Sequence, residues 1–315
     1  MVEFKALGVI KMLKFSPSYL NISGSSLEKI KDRLLELLRE CRVCPRNCQV
    51  NRLKGEKGFC RTTRYAWVSS FNLHFGEEPE LVGRGGSGTI FFSFCNLACQ
   101  FCQNYTISHL GEGEEFTPEK LAGAMLYLQE LGAGNINFVS PTHVLPQIIE
   151  ALIIAKEKGL TLPLVYNSGG YDSKEVLQII KGIFDIYMPD MKYSDNELAK
   201  KYSLVDNYWD VCKEAVLEMY SQVGDLRVNE EGIALRGLII RHLVLPNNLA
   251  SSFKIIDFIA EKISLHTYLN IMDQYWPCYK AYNFSELSRK ITLKEYKEVI
   301  DYALKKGLSR GFPCL

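Results

Sequence analysis

Three cysteines in one short segment have the spacing of an iron–sulfur ligand set. Cys95, Cys99 and Cys102 form a C-x3-C-x2-C triplet at the end of the apolar stretch 89–94, TIFFSF. Three thiolates this close, on a loop that leaves a buried strand, can each hold one iron of a [4Fe–4S] cube. No fourth cysteine lies nearby, so one iron keeps an open coordination position, which is a place for chemistry rather than for electron storage alone.

Two other interpretations of the triplet compete with the cluster. Structural zinc usually takes four protein ligands, and only three are at hand. Free cysteines are often small core residues, but three at this spacing at the end of a strand disfavour that interpretation. The triplet, with Phe101 before its last cysteine, resembles the motif of the radical S-adenosylmethionine (radical SAM) superfamily. The resemblance implies that the open iron chelates the methionine end of SAM and delivers the electron that cleaves SAM to a 5′-deoxyadenosyl radical.

A second cysteine set lies upstream with the spacing C-x2-C-x3-C-x11-C, formed by Cys41, Cys44, Cys48 and Cys60. Four ligands would close a coordination shell, as in structural zinc or in an auxiliary iron–sulfur cluster, and the spacing leaves both open. The segment is also basic, which raises the hypothesis of a surface that faces RNA or an acidic flavodoxin; a solvated loop is the alternative. Its basic residues are Arg42, Arg46, Arg52, Lys54, Lys57, Arg61 and Arg64.

Composition and charge narrow the class of protein. The chain has 315 residues and a formal net charge of +1, so the chain as a whole is not expected to be drawn to nucleic acid or to an acidic membrane surface. Lys5, Lys11 and Lys14 interrupt the only candidate signal peptide, and no apolar stretch approaches the ~20 residues of a membrane span. The ten cysteines cluster as metal ligands do, which predicts a reducing, cytoplasmic location.

From residue 89 onward, apolar runs alternate with amphipathic ones and predict an α/β fold. Ser25 and Glu28 predict the capping box of a first helix, and Thr117 before Pro118 predicts the cap of the next. The segment 225–237 predicts an inserted hairpin with its turn at Glu231-Gly232. The predicted strands are 89–94, 135–140, 163–168, 184–190, 238–246 and 267–273. The predicted helices are 117–132, 146–158, 173–181, 207–223, 250–263 and 292–305. Six strand–helix units favour a partial barrel over a doubly wound open sheet, with an N-terminal extension at 1–75 and the barrel at 76–315.

The predicted strands end in polar residues, which places candidate site residues at one edge of the sheet. Asn104 follows the cysteine triplet, Ser140 and Thr142 follow the second strand, and Asp273 ends the sixth. A charged residue within a strand needs a partner or a ligand, which singles out Arg241. The remaining candidates are Asn167, Gly169, Gly170, Asp190 and Lys192. Gly169-Gly170 is equally explained by a tight turn, and Asp190 with Lys192 by a local ion pair.

Taken together, these stretches resemble the uncharacterised proteins related to the pyruvate formate-lyase activating enzyme. The matching stretches are CRVCPRNCQVNRLKGEKGFCR, LHFGEEP, GSGTIFFSFCNLACQFCQNY, NINFVSPTHVLPQI, YNSGGYDS, DIYMPDMKY, RHLVLPN and NIMDQY. The resemblance implies a partial (β/α)6 radical SAM barrel with a SAM-chelated [4Fe–4S] cluster on the triplet. The activating enzymes carry Gly-Gly-Glu where this chain has Ser140-Pro141-Thr142, so the contact to the amino group of SAM is left without a residue.

These observations predict an enzyme that cleaves SAM and abstracts hydrogen from an unidentified substrate: a protein, a peptide or an RNA, with glycyl-radical activation as one case. Phe101, Gly169 and Gly170 are expected near the adenosine, and Asn104, Ser140, Thr142 and Asn167 are further SAM contacts. Arg241, Asp190, Lys192 and Asp273 are expected to bind substrate or the SAM carboxylate. A low-potential flavodoxin- or ferredoxin-type protein would donate the electron. The alternative is a metal-dependent binding or sensor protein in which both cysteine sets are structural.

Overall fold

The computed structural model describes residues 15–313, which form one mixed sheet flanked by helices. The strands are β1 (Ala66–His74), β2 (Ser87–Phe92), β3 (Glu114–Phe116), β4 (Ile136–Val139), β5 (Leu164–Ser168), β6 (Ile186–Pro189), β7 (Arg227–Val228), β8 (Ala234–Leu243) and β9 (Tyr268–Met272). The helices are α1 (Gly24–Glu36), α2 (Pro79–Val82), α3 (Pro118–Glu130), α4 (Leu145–Glu157), α5 (Lys174–Ile179), α6 (Asn196–Ser203), α7 (Tyr208–Val223), α8 (Ser252–Phe258) and α9 (Leu293–Lys305).

Six of the strands pair in parallel in the order β2-β4-β5-β6-β8-β9. The side chains of these strands, mostly Ile, Val, Phe and Tyr, are buried on both faces of the sheet. Helices cover the outer face, and side chains of the inner face fill the barrel. β2 and β9 do not pair with each other in the described part of the chain, so the sheet is an open barrel. The prediction of a partial (β/α)6 barrel is confirmed.

The outer edge of β2 carries an antiparallel strand that the sequence did not predict. β1 runs beside β2, with Val68 opposite Phe92 and His74 opposite Ser87, and β3 pairs with β1 in turn. Ala66 and Val68 are buried at its start, and after a bulge between Val68 and Ser70 the less exposed positions shift to Phe71 and Leu73, which are only half-buried. A strand with so weak an alternation gives little periodic signal, which explains why it was missed.

The ends of several helices differ from the predictions. Ser23, not Ser25, caps α1, since its hydroxyl accepts the Ser26 N–H at 3.2 Å, and Glu28 instead pairs with Lys31. The predicted cap of α3 is confirmed, because the Thr117 side chain accepts from Lys120. Helix α6 was not predicted. The predicted helix 250–263 is shorter and has a wider last turn, with α8 followed by a π-helical turn over Ile259–Ile263.

The residues before β1 pack on the barrel rather than standing apart from it. Tyr19, Leu27 and Leu34 are buried in the same core as the barrel strands, and the Tyr19 hydroxyl donates to the Leu160 carbonyl oxygen at 2.9 Å. The division at residue 75 stays a prediction; residues 1–14 and Cys314 lie outside the described residues. Within residues 15–313, no helix has both the length and the apolar character needed to cross a bilayer.

Candidate active site

A cavity of about 610 Å³ opens where the parallel strands end. All three cysteines of the triplet line it, together with polar side chains from the ends of β4, β5, β6 and β8. The lining residues are Cys95, Leu97, Cys99, Cys102, Asn104, Ser108, His109, Val139, Ser140, Asn167, Ser168, Gly169, Asp190, Lys192 and Arg241. Groups that are distant in sequence meet here because parallel strands bring their carboxyl ends to one edge.

The cysteine loop is held in place by hydrogen bonds to other parts of the barrel. Phe94 has a φ of +67°, which turns the chain sharply out of β2 and into the loop. The Ala98 N–H then donates to the carbonyl oxygen of Ser203 at 3.1 Å. The side-chain amide of Asn96 donates to the carbonyl oxygen of Tyr171 at 2.7 Å. These bonds fix the loop on both sides, so the cysteine positions are set by the fold rather than by the loop alone.

Each sulfur of the triplet has a hydrogen-bond partner. The pairs are the Leu97 N–H with Cys95 Sγ at 3.4 Å, the Ser203 hydroxyl with Cys99 Sγ at 3.0 Å, and the Ser108 hydroxyl with Cys102 Sγ at 3.1 Å. The Tyr193 hydroxyl in turn lies 2.9 Å from Ser203 Oγ. Hydrogen bonds to ligand sulfurs are one of the means by which a protein sets the reduction potential of an iron–sulfur cluster.

Without a metal, the surroundings of the cysteines disfavour the charged thiolate form. Burial raises the pKa of Cys95 to about 12 and that of Cys102 to about 11, and the neighbouring cysteines add to the effect. At neutral pH both groups are therefore protonated thiols until a metal binds and displaces the protons. The pocket is built for thiolates whose charge a metal cluster offsets.

The donor set fits a cube with one open iron. Cys95, Cys99 and Cys102 are the only cysteines among the residues that line the cavity. His109 also lines it, but its Nε2 lies 3.0 Å from the Cys99 carbonyl oxygen, so that nitrogen is already engaged. Across residues 15–313, no three His, Cys, Asp or Glu side chains stand close enough to share a single ion. Three cysteine sulfurs that face one cavity can each bind one iron of a cube and leave the fourth iron open.

Comparison with known proteins agrees with this donor set. The sequence profile of the radical SAM superfamily matches residues 89–224. The uncharacterised protein MJ0674 of Methanocaldococcus jannaschii is 33% identical over 95% of this chain and 86% of its own length. The chain belongs to the radical SAM superfamily. A second uncharacterised protein of that organism, MJ0808, is 25% identical over 85% of this radical SAM chain and 80% of its own.

Solved structures give weaker likenesses. Streptococcus suis SuiB, solved with its precursor peptide SuiA, has a TM-score of 0.48 and 16% identity, over 70% of this radical SAM chain and 46% of its own. Methylornithine synthase has a TM-score of 0.47 and 13% identity, over 94% of this chain and 73% of its own. At these scores neither similarity indicates a substrate.

Opposite the cysteines, the radical SAM cavity is bounded by a compact group of charges. Asp190 follows β6 and Arg241 lies on β8, and Arg241 Nε donates to Asp190 Oδ1 at 2.9 Å. Lys192 Nζ donates to the other carboxylate oxygen at 2.5 Å. Arg241 also donates through Nη2 to Asn167 Oδ1 at 2.7 Å. One carboxylate therefore holds two cations, and an amide on β5 fixes the plane of the guanidinium.

The charged forms of these groups stabilise one another. Burial alone would raise the pKa of Asp190, but Arg241 and Lys192 outweigh it and lower that pKa below its usual value. Burial likewise opposes the charge on Lys192, and Asp190 reverses the effect, so the Lys192 pKa is raised. All three groups are charged at neutral pH. Arg241 and Lys192 retain N–H groups that Asp190 does not engage, and these donors are available to an anionic group in the cavity.

Two acidic residues in the loop between β1 and α2 lie behind Arg241. Glu77 Oε2 is 3.5 Å from Arg241 Nη1, and burial raises the pKa of Glu77 to about 6 although Arg241 opposes the shift. The Glu78 carboxylate accepts from Asn270 Nδ2 at 2.9 Å. Its second oxygen is buried without a partner among the described residues. The interior of the barrel therefore contains two acidic side chains that were not among the predicted site residues.

The structure brings most of the predicted site residues together, although their roles stay predictions. Asn104, Ser140, Asn167 and Gly169 line the cavity, as do Asp190, Lys192 and Arg241. Ser140 has a φ of +59°, a left-handed conformation that is uncommon for a residue other than glycine. Strain of this kind gathers at functional sites because the surrounding structure must enforce it.

Four other predicted residues do not line the cavity. The Phe101 ring is buried against Tyr193 and Tyr275, and the Asp273 side chain is exposed beyond β9. Thr142 is buried, with its hydroxyl 2.6 Å from Asp172 Oδ1. Gly170 makes the tight turn that its sequence allowed, with a φ of +77°.

Several residues that hold or border this site were not predicted from the sequence. Asp172 is fully buried and accepts three hydroxyl hydrogen bonds, and burial raises its pKa. The three donors are Thr142 at 2.6 Å, Tyr166 at 2.9 Å and Ser168 at 2.6 Å. Ser108, Ser203 and Glu77 were also missed, because single polar residues outside a motif give no signal of their position in space. The Asp172 network ties β5 to the turn after β4 and keeps the floor of the cavity rigid.

The four cysteines of the second set also face one space. Cys41, Cys44, Cys48 and Cys60 line one narrow space, and burial raises the pKa of Cys44. A Cβ at Gly58 would stand 2.8 Å from Cys48 Cβ, so only glycine lets the chain pass this close. The loop is thus built around its cysteines.

Proposed function

We propose that this protein is a radical SAM enzyme that binds SAM in the strand-end cavity and abstracts hydrogen from a substrate held against the charged group of Asp190, Lys192 and Arg241. One observation carries the proposal. Cys95, Cys99 and Cys102 face a cavity of about 610 Å³ that contains no other cysteine. This arrangement leaves room for a ligand at the open position of a cluster.

The residues of the chain have distinct tasks in this proposal. A [4Fe–4S] cluster on the three thiolates would supply the electron that cleaves bound SAM. Asn104, Ser140, Asn167 and Gly169 border the same cavity and would orient SAM through polar and main-chain groups. The N–H donors of Arg241 and Lys192 that Asp190 does not engage would bind a carboxylate, either that of SAM or that of the substrate.

The finer assignments belong to the same proposal. The substrate is a protein, a peptide or an RNA, and glycyl-radical activation in the manner of the pyruvate formate-lyase activating enzyme is one specific case. The electron comes from a low-potential flavodoxin- or ferredoxin-type donor. The four-cysteine loop holds a second metal group, either zinc or an auxiliary iron–sulfur cluster.

The experiment is production of 5′-deoxyadenosine from SAM by anaerobically reconstituted protein under dithionite. We expect product from the wild type, and none from Cys95→Ala, Cys99→Ala or Cys102→Ala. Cys278→Ala is the matched control, because Cys278 is a half-buried free cysteine outside both sets, and it should retain the activity.

The contrary result is equally clear. A wild-type protein with a full cluster that neither binds SAM nor cleaves it, with candidate substrates present or absent, would rule out the enzyme. The binding or sensor alternative would then account for the cysteines. Binding of SAM without cleavage would instead direct the search to a substrate that must bind first.

A further inference from the structure

The two cysteine sets border a common space. A cavity of about 540 Å³ lies between the four-cysteine loop and the triplet. Cys60 contributes to its wall from the first set and Cys95 from the second. The side chains between them include Phe59, Phe94 and His109. The loop therefore lies directly against the radical site and not at a remote point of the barrel.

Arg46 joins the two sets through direct contacts. Its Nε donates to the carbonyl oxygen of Asn96, the residue after Cys95, at 2.9 Å. Its guanidinium lies 3.6 Å above the ring of Phe59, the residue before Cys60. A guanidinium stacked on an aromatic ring and bonded to a carbonyl is held firmly. One side chain thus contacts the chain beside a cysteine of each set.

The four cysteines of the loop line one space and could bind either metal group by ligand count alone. Structural zinc serves to hold a fold together, whereas an iron–sulfur cluster can also carry electrons. A loop that borders the triplet gives such a cluster an electron acceptor within the same protein. The position of the loop therefore favours iron–sulfur over zinc.

The loop is also attached to the barrel without a metal. Arg52 is fully buried and donates through Nη1 to the His143 carbonyl oxygen at 2.8 Å, and through Nε to that of Thr63 at 3.1 Å. A structural metal whose task is to fasten this loop would therefore duplicate an existing attachment. A redox role explains better why four cysteines were placed beside the triplet.

We propose that the four-cysteine loop holds an iron–sulfur cluster that relays electrons, one at a time, from a protein donor to the cluster on the triplet. This inference rests on the proposed function. The donor is a reduced, acidic, low-potential protein of the flavodoxin class. Cys41, Cys44, Cys48 and Cys60 would hold a cluster that accepts one electron from the donor and passes it to the cluster that Cys95, Cys99 and Cys102 would hold.

The outer face of the loop is suited to such a donor. Arg42, Lys54, Lys57 and Arg61 are exposed, whereas Arg46 and Arg64 are half-buried and Arg52 is enclosed. The basic surface is therefore smaller than the seven residues of the sequence suggested. Exposed cations beside a redox centre attract an acidic partner and speed its encounter.

The first test asks which metal the loop holds. The triple variant Cys95→Ala/Cys99→Ala/Cys102→Ala removes the radical cluster and leaves the loop intact. After anaerobic reconstitution we expect it to retain iron and an electron paramagnetic resonance signal on reduction. Retention of zinc alone, or of no metal, would overturn the proposal. The result does not depend on SAM cleavage, so it separates this inference from the proposed function.

The second test asks whether the loop cluster carries electrons. Reduced flavodoxin is mixed with the triple variant, and we expect the loop cluster to be reduced. Cys48→Ala/Cys60→Ala should lose SAM cleavage driven by flavodoxin to a greater extent than cleavage driven by dithionite, a small reductant that can enter the cavity. Failure of flavodoxin to reduce the loop cluster, or an equal loss with both reductants, would overturn the relay. Cys278→Ala serves as control throughout.

Discussion

Replacing Asp190 by asparagine tests the charged group most directly. The substitution keeps the shape of the side chain but leaves Arg241 and Lys192 as neighbouring half-buried cations, 18% and 21% exposed. Removing one partner from a buried ion pair costs about 3–5 kcal/mol. Because Glu77 still faces Arg241 at 3.5 Å, we expect the free energy of unfolding to fall by about 2–4 kcal/mol at pH 7.

The assay is urea denaturation of metal-free, reduced protein, followed by tyrosine and tryptophan fluorescence. Asp190→Asn combined with Lys192→Met should recover part of the loss, with a coupling of about 0.5–3 kcal/mol, since one stranded cation is removed. Asp210→Asn is the control: Asp210 pairs with Lys213 at 3.1 Å but is 62% exposed, so its loss should cost about 0–1 kcal/mol.

The contribution of Asp190 to the free energy of unfolding depends on pH in a direction that follows from its pKa. The pKa of Asp190 is lower in the folded protein than in the unfolded chain. Its contribution to stability is therefore full above the unfolded value of about 3.9, and it is lost as the pH falls through the folded value. The difference between wild type and Asp190→Asn should shrink as the pH falls below about 4. A loss at pH 7 no larger than that of the Asp210 control, or strict additivity with Lys192→Met, would refute the reasoning.

Three further predictions follow from local geometry. Gly170→Ala should lower the free energy of unfolding by roughly 2–4 kcal/mol, because its φ is +77° and its Cβ would stand 2.1 Å from a main-chain oxygen. The control is Gly182→Ala, which has a similar φ but open space around it and should cost about 1–2 kcal/mol in the same urea assay. Ser203→Ala removes the hydroxyl that is hydrogen-bonded to Cys99 Sγ. Because that bond stabilises the more negative, reduced state, the reduction potential of the triplet cluster should fall in a redox titration. An unchanged potential would show that the bond is absent when the cluster is bound. Gly58→Ala should deplete the metal of the four-cysteine loop, measured by elemental analysis of the triple cysteine variant, and full retention of that metal would contradict the close packing on Cys48.

Much of the fold could be predicted from the sequence because parallel strands buried on both faces leave nearly continuous apolar runs. All six parallel strands were located, and their ends shifted by a few residues. The turn at Gly232 and the cap at Thr117 followed from local chemistry that does not depend on the rest of the chain. Helix α6 and strand β1 were missed because their patterns are short or weak.

The site could be predicted in part for a related reason. Strand ends converge, so Asn167, Asp190 and Arg241 could be placed near the cysteines from fold class alone. Whether a side chain turns inward or outward depends on backbone detail that spacing does not encode. Asp273 turns outward, and Thr142 is occupied by a buried carboxylate, Asp172, that no motif marks.

The open edge of the barrel has a mechanical consequence. A closed barrel has its radius fixed by strand number and shear. Here β9 and β2 share no ladder in the described residues, so no such closure condition applies. The gap is spanned instead by the segment after β9, where the Lys280 N–H donates to the Gln100 carbonyl oxygen and Gln103 Nε2 donates to the Gln274 carbonyl oxygen, each at 2.9 Å. The position of β9 relative to the cysteine loop therefore rests on a few loop contacts rather than on a strand ladder.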